Sequence, residues 1–244
     1  MQQIKFILAL GLVLVAGASQ AQTNQRKTDM TDAEKVALLE ATREMVNQFN
    51  DRLTKLWTMP SEADRYDMQA FRKNKASLAK EMKHMFYNDG EDWMEWDTIE
   101  WYVNGRLEKR LDSALFRERP MIEISSASRD GRVKKNRSAV VNYIDGVCDI
   151  STGNKKSNYS QVYVTSSDAV YCKDVRKVDD DKYEVTLSFI QEFKGVNGRE
   201  HLMYGDLTKK TIKAYIFPIV MYDEVVWKIA LGDIKAEETK RVWR

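Results

Sequence analysis

Residues 183–193 read YEVTLSFIQEF, and their alternation decides the fold class. Apolar side chains take every second position through most of this stretch: Tyr183, Val185, Leu187, Phe189 and Phe193. A period of two residues is typical of a β-strand with one buried and one solvent-exposed face. We predict a strand over 182–193, and the neighbouring patterns predict four more, at 161–165, 169–176, 211–221 and 225–231. Short, turn-forming joins indicate an antiparallel meander.

Two sequence features predict irregular positions in this sheet. Residues 194–208 carry three glycines between two predicted strands, so we expect a mobile arm there. Pro218 falls inside a strand pattern, and because proline has no N–H to donate, it predicts a sheet edge or a bulge.

Helices are predicted before the sheet. Thr31 and Glu34 form a capping-box pattern, followed by an apolar stripe that predicts a helix to about residue 57: Val36, Leu39, Val46, Phe49, Leu53 and Leu56. The same start signal at Ser61 precedes a less regular helical stretch to Phe86, with a break expected near Asn74. The short connection between the two makes them antiparallel.

A third helix is predicted over 97–115, from apolar residues spaced by four: Ile99, Val103, Leu107, Leu111 and Leu115. A short strand over 121–124, a loop over 128–136 and a short helix over 138–146 should lead into the sheet. This order predicts an α+β fold in which N-terminal helices pack on the antiparallel meander sheet.

Three segments carry a family resemblance: Leu115-Phe116 leading into residues 121–124, the short helix at 139–144, and the closing strand at 226–229. In this order they resemble the nuclear-transport-factor-two-like superfamily, the cystatin-like curved-sheet cone, over about residues 97–233. The resemblance implies a pocket between helices and sheet, which some members use for catalysis and many use only to bind. Fold alone therefore implies no reaction.

The N-terminus is typical of a secretory signal peptide, with Lys5, an apolar run over 6–16 and small residues to Ala21. We expect cleavage after Ala21 or Ala18, and a periplasmic or secreted protein. Residues 22–30 would be a flexible lead, 31–90 a helical hairpin that belongs to the cone or extends it, 91–236 the α+β domain, and 237–244 a tail.

Charge excludes some partners. The chain has 39 Lys plus Arg and 37 Asp plus Glu, and removing the leader with Lys5 leaves 38 against 37. A balance near zero gives no electrostatic reason for a nucleic-acid or anionic-membrane partner. No sequence motif indicates a metal ion, a cofactor or a serine nucleophile. In an exported chain, Cys148 and Cys172 are either a disulfide or two buried thiols.

Three groups of residues are candidate sites. The two histidines, His84 and His201, are expected at the surface. An aromatic cluster that includes Trp93, Trp96, Trp101 and Tyr102 suits a protein or sugar partner, or else belongs to the core. The third group is a basic loop that we expect to be solvated: Arg129, Arg132, Lys134, Lys135 and Arg137.

A fold pattern without a recognisable catalytic set favours a non-catalytic binding or assembly module. Such a module would contact a protein or a small ligand through its sheet or its cone pocket, and it could form a homodimer. Two alternatives remain. One is an isomerase or cyclase that uses the cone pocket, and the other is glycan binding through the tryptophan cluster.

Overall fold

The computed structural model describes residues 30–87, 120–171, 175–179, 182–198, 201–221 and 224–242, together with four short strands. Those four are β1 (Phe6–Ile7), β2 (Leu12–Val13), β3 (Ile99–Val103) and β4 (Arg106–Arg110). Within this part of the chain, ten strands form one sheet, and β3 and β4 pair separately. The other strands are β5 (Met121–Ala127), β6 (Val133–Ala139), β7 (Gln161–Ser166), β8 (Val170–Tyr171), β9 (Arg176–Asp179), β10 (Lys182–Val196), β11 (Leu202–Met221) and β12 (Glu224–Arg241).

Three long antiparallel strands, β10, β11 and β12, form the centre of the sheet. Strands β7, β8 and β9 pair along the outer side of β10, while β2 and β5 pair with β12. The predicted strand pattern is confirmed, because Tyr183, Val185, Leu187 and Phe189 are all buried. Irregular pairing near Gly195, Lys209 and Ile212 interrupts the ladders, and such bulges bend a sheet.

Strands β10 to β12 are longer than we predicted. Residues 194–196 and 202–208, expected in a mobile arm, continue β10 and β11, and β12 extends to Arg241 through most of the expected tail. The arm prediction was wrong because the glycines do not break the ladder: Gly195 pairs with Tyr204. Pro218 pairs with Trp227 on β12, and the residue that would face it on the β10 side, Asp181, lies outside the described residues, so the predicted edge or bulge stays a prediction.

Helix α1 (Asp32–Trp57) begins with the predicted capping box between Thr31 and Glu34. Its buried face differs at the start, where Leu38 and Thr42 replace Val36, which is 67% exposed. Counting back from Val46 in steps of four reaches residues 42 and 38 and misses 36. Residues of α1, of α4 (Val140–Ser151) and of the sheet share one apolar core, including Phe49, Leu53, Ile144, Leu187, Ile216 and Trp227.

The second helical stretch breaks earlier than expected. It consists of α2 (Glu62–Tyr66) and α3 (Met68–Lys83), and the break lies at Asp67 rather than near Asn74. The Asp67 carboxylate accepts a 3.0 Å hydrogen bond from the Ala70 N–H and so starts a new helix. Tyr66 is exposed, whereas Met82 and Phe86 join the core.

The predicted third helix is also wrong. Strands β3 and β4 lie within residues 97–115, and Val103 pairs with Arg106. The two residues between them in the sequence are Asn104 and Gly105, the dipeptide most typical of a tight hairpin. The β-branched and aromatic residues before it favour a strand over a helix.

Strands β5 and β6 form a second hairpin. The predicted strand at 121–124 is confirmed and extends to Ala127. The expected loop over 128–136 is shorter, because residues 133–136 belong to β6. The predicted short helix is confirmed as α4, which starts two residues later than expected. The expected α+β class, with helices packed on a largely antiparallel sheet, is the observed one.

Candidate functional site

A row of polar residues crosses the inner face of the sheet where the apolar core ends. Ser166 on β7 pairs with Gln191 on β10, Gln191 pairs with Thr208 on β11, and Thr208 pairs with Thr239 on β12. Because directly paired residues point to the same face, these four side chains form one continuous row. We call it the polar row. Gln191, Thr208 and Thr239 are buried.

One half of the polar row is linked by hydrogen bonds. The Thr208 Oγ1 atom lies 3.1 Å from Thr239 Oγ1 and 3.4 Å from Ser125 Oγ, and the Ser125 and Thr239 hydroxyls are also in contact. Thr208 Oγ1 also lies 3.3 Å from a carboxylate oxygen of Asp206. This half of the row is a connected hydroxyl cluster at the junction of β5, β11 and β12.

The other half has buried polar atoms without partners. Within the described residues, Ser166 Oγ and Gln191 Nε2 make no hydrogen bond, and neither does the side-chain amide of Asn50 on α1, the helix that packs on β7. Buried polar atoms in folded proteins nearly always have a partner, which is either protein or a bound molecule. This half of the row therefore has unused hydrogen-bonding capacity.

Two ionisable residues flank the row on the same face of β11. Lys210 and Asp206 lie two residues to either side of Thr208 and are 5% and 4% exposed. Burial lowers the pKa of Lys210 to about 8, although nearby Asp206 opposes this change. Burial raises the pKa of Asp206, against hydrogen bonds from Tyr204 and Thr208. The two residues lie four positions apart on β11, which places their Cα atoms roughly 13 Å apart, and within the described residues they form no ion pair.

An aromatic group continues the inner face beyond Asp206. The ring of Phe193 is in contact with Trp57, Tyr159 and Tyr204, at centroid distances of 5.5, 5.9 and 6.1 Å. Tyr159 packs so closely on the chain that a Cβ at Gly195 would lie 2.4 Å from its ring, so this position requires glycine. The site thus has an apolar wall next to its polar row.

The Tyr204 hydroxyl joins this wall to the charged residues. It accepts a 2.8 Å hydrogen bond from the Ala127 N–H and is hydrogen-bonded to the Asp206 carboxylate. Burial and the Asp206 carboxylate raise the pKa of Tyr204 strongly, so the phenol keeps its proton. The Arg241 guanidinium lies 5.2 Å from the centre of the Tyr204 ring.

An open cleft of about 890 Å³ reaches the polar row from outside. The turn between β5 and β6 lines one side of the cleft and the end of β12 lines the other, with Thr239 belonging to both the cleft and the row. Arg129, Lys240 and Arg241 also line it. Of these three cations, Lys240 is paired with Glu238 at 2.9 Å.

The residues singled out from the sequence lie mostly elsewhere. His84 ends α3 and His201 precedes β11, and both are exposed, as predicted. Trp93 and Trp96 lie outside the described residues, as do the side chains of Trp101 and Tyr102, so their predicted role in binding stays a prediction. Cys148 is partly buried on α4, and Cys172 lies outside the described residues, so the disulfide stays a prediction too.

The predicted basic loop is largely a strand, although it is solvated as expected. Arg129 and Arg132 lie in the turn, while Lys134, Lys135 and Arg137 lie on β6. Several of these cations have acidic partners: Arg132 pairs with Asp130 at 3.0 Å, Lys135 with Glu123 at 3.8 Å, and Arg137 with Asp233 at 3.5 Å. Only Arg129 of this group lines the cleft.

Sequence reasoning missed Asp206 and Thr208 because we assigned residues 194–208 to an arm, and it missed Lys210 because the next predicted strand began at residue 211. The sequence has no periodic signal here, since Leu207, the one apolar residue among residues 206–210, lies on the exposed face of the strand. The described residues contain no group of three His, Cys, Asp or Glu side chains placed to bind a metal ion. None of the helices in the described part of the chain has the length and apolar content needed to cross a membrane.

No protein-family model matches the sequence, and no curated protein sequence matches it either. Among solved structures, the chain is similar to a candidate scytalone dehydratase from Novosphingobium aromaticivorans. The sequence identity is 12%, the TM-score is 0.38, and the match covers 88% of this chain and 93% of that one. The resemblance to the nuclear-transport-factor-two-like superfamily stays one of architecture.

Proposed function

We propose that this protein is an exported binding module that holds a small molecule at the polar row without transforming it. The observation that carries the proposal is the set of buried polar atoms without partners: Asn50, Ser166 and Gln191. Each such atom costs about 1 to 3 kcal/mol when it is left unpaired, so a bound molecule that pairs with it recovers that free energy.

The rest of the inner face limits where the molecule can lie. The apolar end is filled by core side chains that include Phe49, Phe86 and Trp227. The polar end has the row, the aromatic wall at Phe193 and the open cleft at Thr239. A small molecule with one apolar side and several hydrogen-bonding groups fits this combination.

Binding of small polar fragments tests the proposal. Saturation-transfer NMR on the purified protein, with a library of hydroxylated and amide fragments, should find fragments that bind. The double variant Gln191→Leu and Thr208→Val should weaken their binding about thirtyfold, since each of the two lost hydrogen bonds is worth about 1 kcal/mol. Thr211→Val is the matched control, because Thr211 lies on the same strand and points to the opposite face. If no fragment binds, or if the double variant binds as the wild type does, the proposal is wrong.

One observation supports a second candidate, an enzyme of the isomerase or cyclase type. Enzymes that resemble this fold use a carboxylate as a base and a tyrosine as a hydrogen-bond donor, and here Tyr204 and Asp206 are hydrogen-bonded on the inner face. The raised pKa of Asp206 suits proton transfer at carbon. Against this candidate, the Tyr204 proton is already engaged with Asp206.

Hydrogen exchange distinguishes the two candidates. Cyclic ketones and β-keto esters incubated in D₂O exchange the protons next to their carbonyl groups, and NMR measures the rate. An isomerase-like site should accelerate this exchange, and Asp206→Asn should abolish the acceleration. Exchange at the background rate with the wild-type protein would leave the binding module as the supported function.

A further inference from the structure

The chain has two lysines buried to the same degree, and their surroundings differ. Lys75 is 7% exposed and Lys210 is 5% exposed. The Lys75 ammonium donates hydrogen bonds to the carbonyl oxygens of Lys55, Leu56 and Thr58, the last two at 3.2 and 2.8 Å. These are the free carbonyls at the end of α1, so Lys75 has a structural role.

Lys210 has no such partners. Within the described residues, its ammonium makes no hydrogen bond and no ion pair. The residues paired with it on either side are Phe189 and Ala236, whose side chains offer it no acceptor. Leaving a buried ammonium without an acceptor costs several kcal/mol, and folded proteins avoid it unless something else supplies the negative charge.

Asp206 supplies that charge only in part: its carboxylate opposes the fall in the pKa of Lys210, but within the described residues it forms no ion pair with the ammonium. Its carboxylate accepts hydrogen bonds from Tyr204 and Thr208, and it lies roughly 13 Å from Lys210 along the strand, measured between Cα atoms. On β12, the acidic residues closest to the position that pairs with Lys210 are Glu237 and Glu238. Both side chains are exposed and lie towards the opposite face or the solvent. Within the described residues, no acidic side chain forms an ion pair with Lys210, so its ammonium can pair with a negative charge on a bound molecule.

We propose that the molecule bound at the polar row is a small carboxylate whose anionic group pairs with the Lys210 ammonium. This inference rests on the proposed function and adds the chemical class of the ligand. Thr208 lies between Lys210 and Asp206 on the same face, roughly 7 Å from each between Cα atoms, so a hydroxyl or carbonyl group near the carboxylate would reach the row. Arg129, which lines the cleft, adds positive charge near its opening.

A single negative charge matches this site better than a doubly charged phosphate. One ammonium neutralises one charge, and the remaining donors of the row are neutral amide and hydroxyl groups. A second buried negative charge would have no partner. The apolar part of the ligand would contact Phe189 and Phe193, which lie on the same face of β10.

Matched pairs of an acid and its neutral amide test the inference. Calorimetry with mandelate against mandelamide, and with 4-hydroxybenzoate against 4-hydroxybenzamide, should show the carboxylate binding at least about tenfold more tightly, as expected for one buried charge-assisted contact. Lys210→Met should remove this preference. Lys209→Met is the control, because Lys209 is the next residue, is exposed and points to the opposite face.

A second measurement does not depend on a variant. In protein labelled with ¹³C, the Cε resonance of Lys210 should shift when mandelate is added and should stay unchanged with mandelamide. If acid and amide bind equally, or if the preference survives in Lys210→Met, the ligand class is wrong while the binding module stands. If neither binds and no fragment binds at the row, both proposals are wrong.

Discussion

Replacing Lys210 with methionine should make the folded protein more stable. Burial lowers the pKa of Lys210 from its ordinary value of 10.5 to about 8. Because the unfolded chain then holds this proton more tightly than the folded chain, the charged side chain opposes folding. At about 1.36 kcal/mol for each pH unit, the difference between 10.5 and 8 corresponds to about 3 kcal/mol. Methionine keeps most of the side-chain length and removes the charge.

The stability gained in Lys210→Met should depend on pH in a definite direction. Below about pH 8 both states are protonated, so the full penalty is present. Between pH 8 and 10.5 the unfolded state binds more protons than the folded state, and the contribution of this residue to stability rises with pH. The gain in Lys210→Met should therefore be about 3 kcal/mol near pH 7 and should shrink towards zero as the pH approaches 10.5.

Urea unfolding followed by tryptophan fluorescence measures this gain at about pH 7, 8.5 and 10, since the free energy of unfolding extrapolates linearly to zero denaturant. Lys209→Met controls for the loss of a surface charge and should change stability by less than about 0.5 kcal/mol. A Lys210→Met protein that is less stable than the wild type near pH 7, or one whose gain does not depend on pH, would refute the reasoning.

Four further outcomes are expected. Lys75→Met should destabilise the protein by at least about 2 kcal/mol in the same urea assay, because it leaves three carbonyls at the end of α1 without their donor. Gly195→Ala should cost about 1 to 3 kcal/mol and alter the near-ultraviolet circular dichroism, since the new methyl group would collide with the Tyr159 ring. Leu187→Ala should cost about 2 to 5 kcal/mol, because the side chain is fully buried. When the full chain is expressed in a host that exports it, mass spectrometry should find a mature protein cleaved after Ala21 or Ala18.

Matched variants control two of these outcomes. An added methyl group at Gly198 meets nothing within 4 Å, so Gly198→Ala should leave the circular dichroism unchanged. Ile190 lies next to the core strand positions but is 51% exposed, and Ile190→Ala should cost less than about 1 kcal/mol. Equal losses for the buried and the exposed strand positions would contradict the assignment of the inner face. Wild-type stability in Lys75→Met would contradict its capping role, and an exported protein that retains residues 1–21 would contradict the signal peptide.

The sequence predicted the sheet well because its strand pattern reports burial directly. The alternation from Tyr183 to Phe189 is the same alternation of buried and exposed side chains that β10 shows. It predicted the first helix nearly as well, since the capping box at Thr31 is a local interaction that needs no tertiary context.

The failures share one physical cause, which is that short patterns with two interpretations are resolved by distant contacts. A spacing of four in residues 97–115 fits a helix, but it does not exclude a hairpin whose turn is an Asn-Gly pair. Glycines at 195 and 205 favour a loop in isolation, yet β7 and β11 on either side hold Gly195 in a strand. Because we did not predict this part of the strand, Asp206, Thr208 and Lys210 were not among the predicted site residues.

The division of the inner face into an apolar and a polar end explains how the fold tolerates its unpaired groups. Ile212, Ala214 and Ile216 on β11 are fully buried, and the β10 residues opposite them are buried too. This end supplies hydrophobic stabilisation of about 25 cal/mol for each Å² of apolar surface buried. The other end of the same strands has a buried ammonium and unpaired amide groups, which oppose folding. Apolar substitutions should therefore have opposite effects at the two ends: Lys210→Met should raise stability, whereas truncating Ile212 to alanine should lower it by about 2 to 5 kcal/mol. If both substitutions lowered the free energy of unfolding, the polar end would stabilise the fold by itself. The proposal that a ligand binds there would then be wrong.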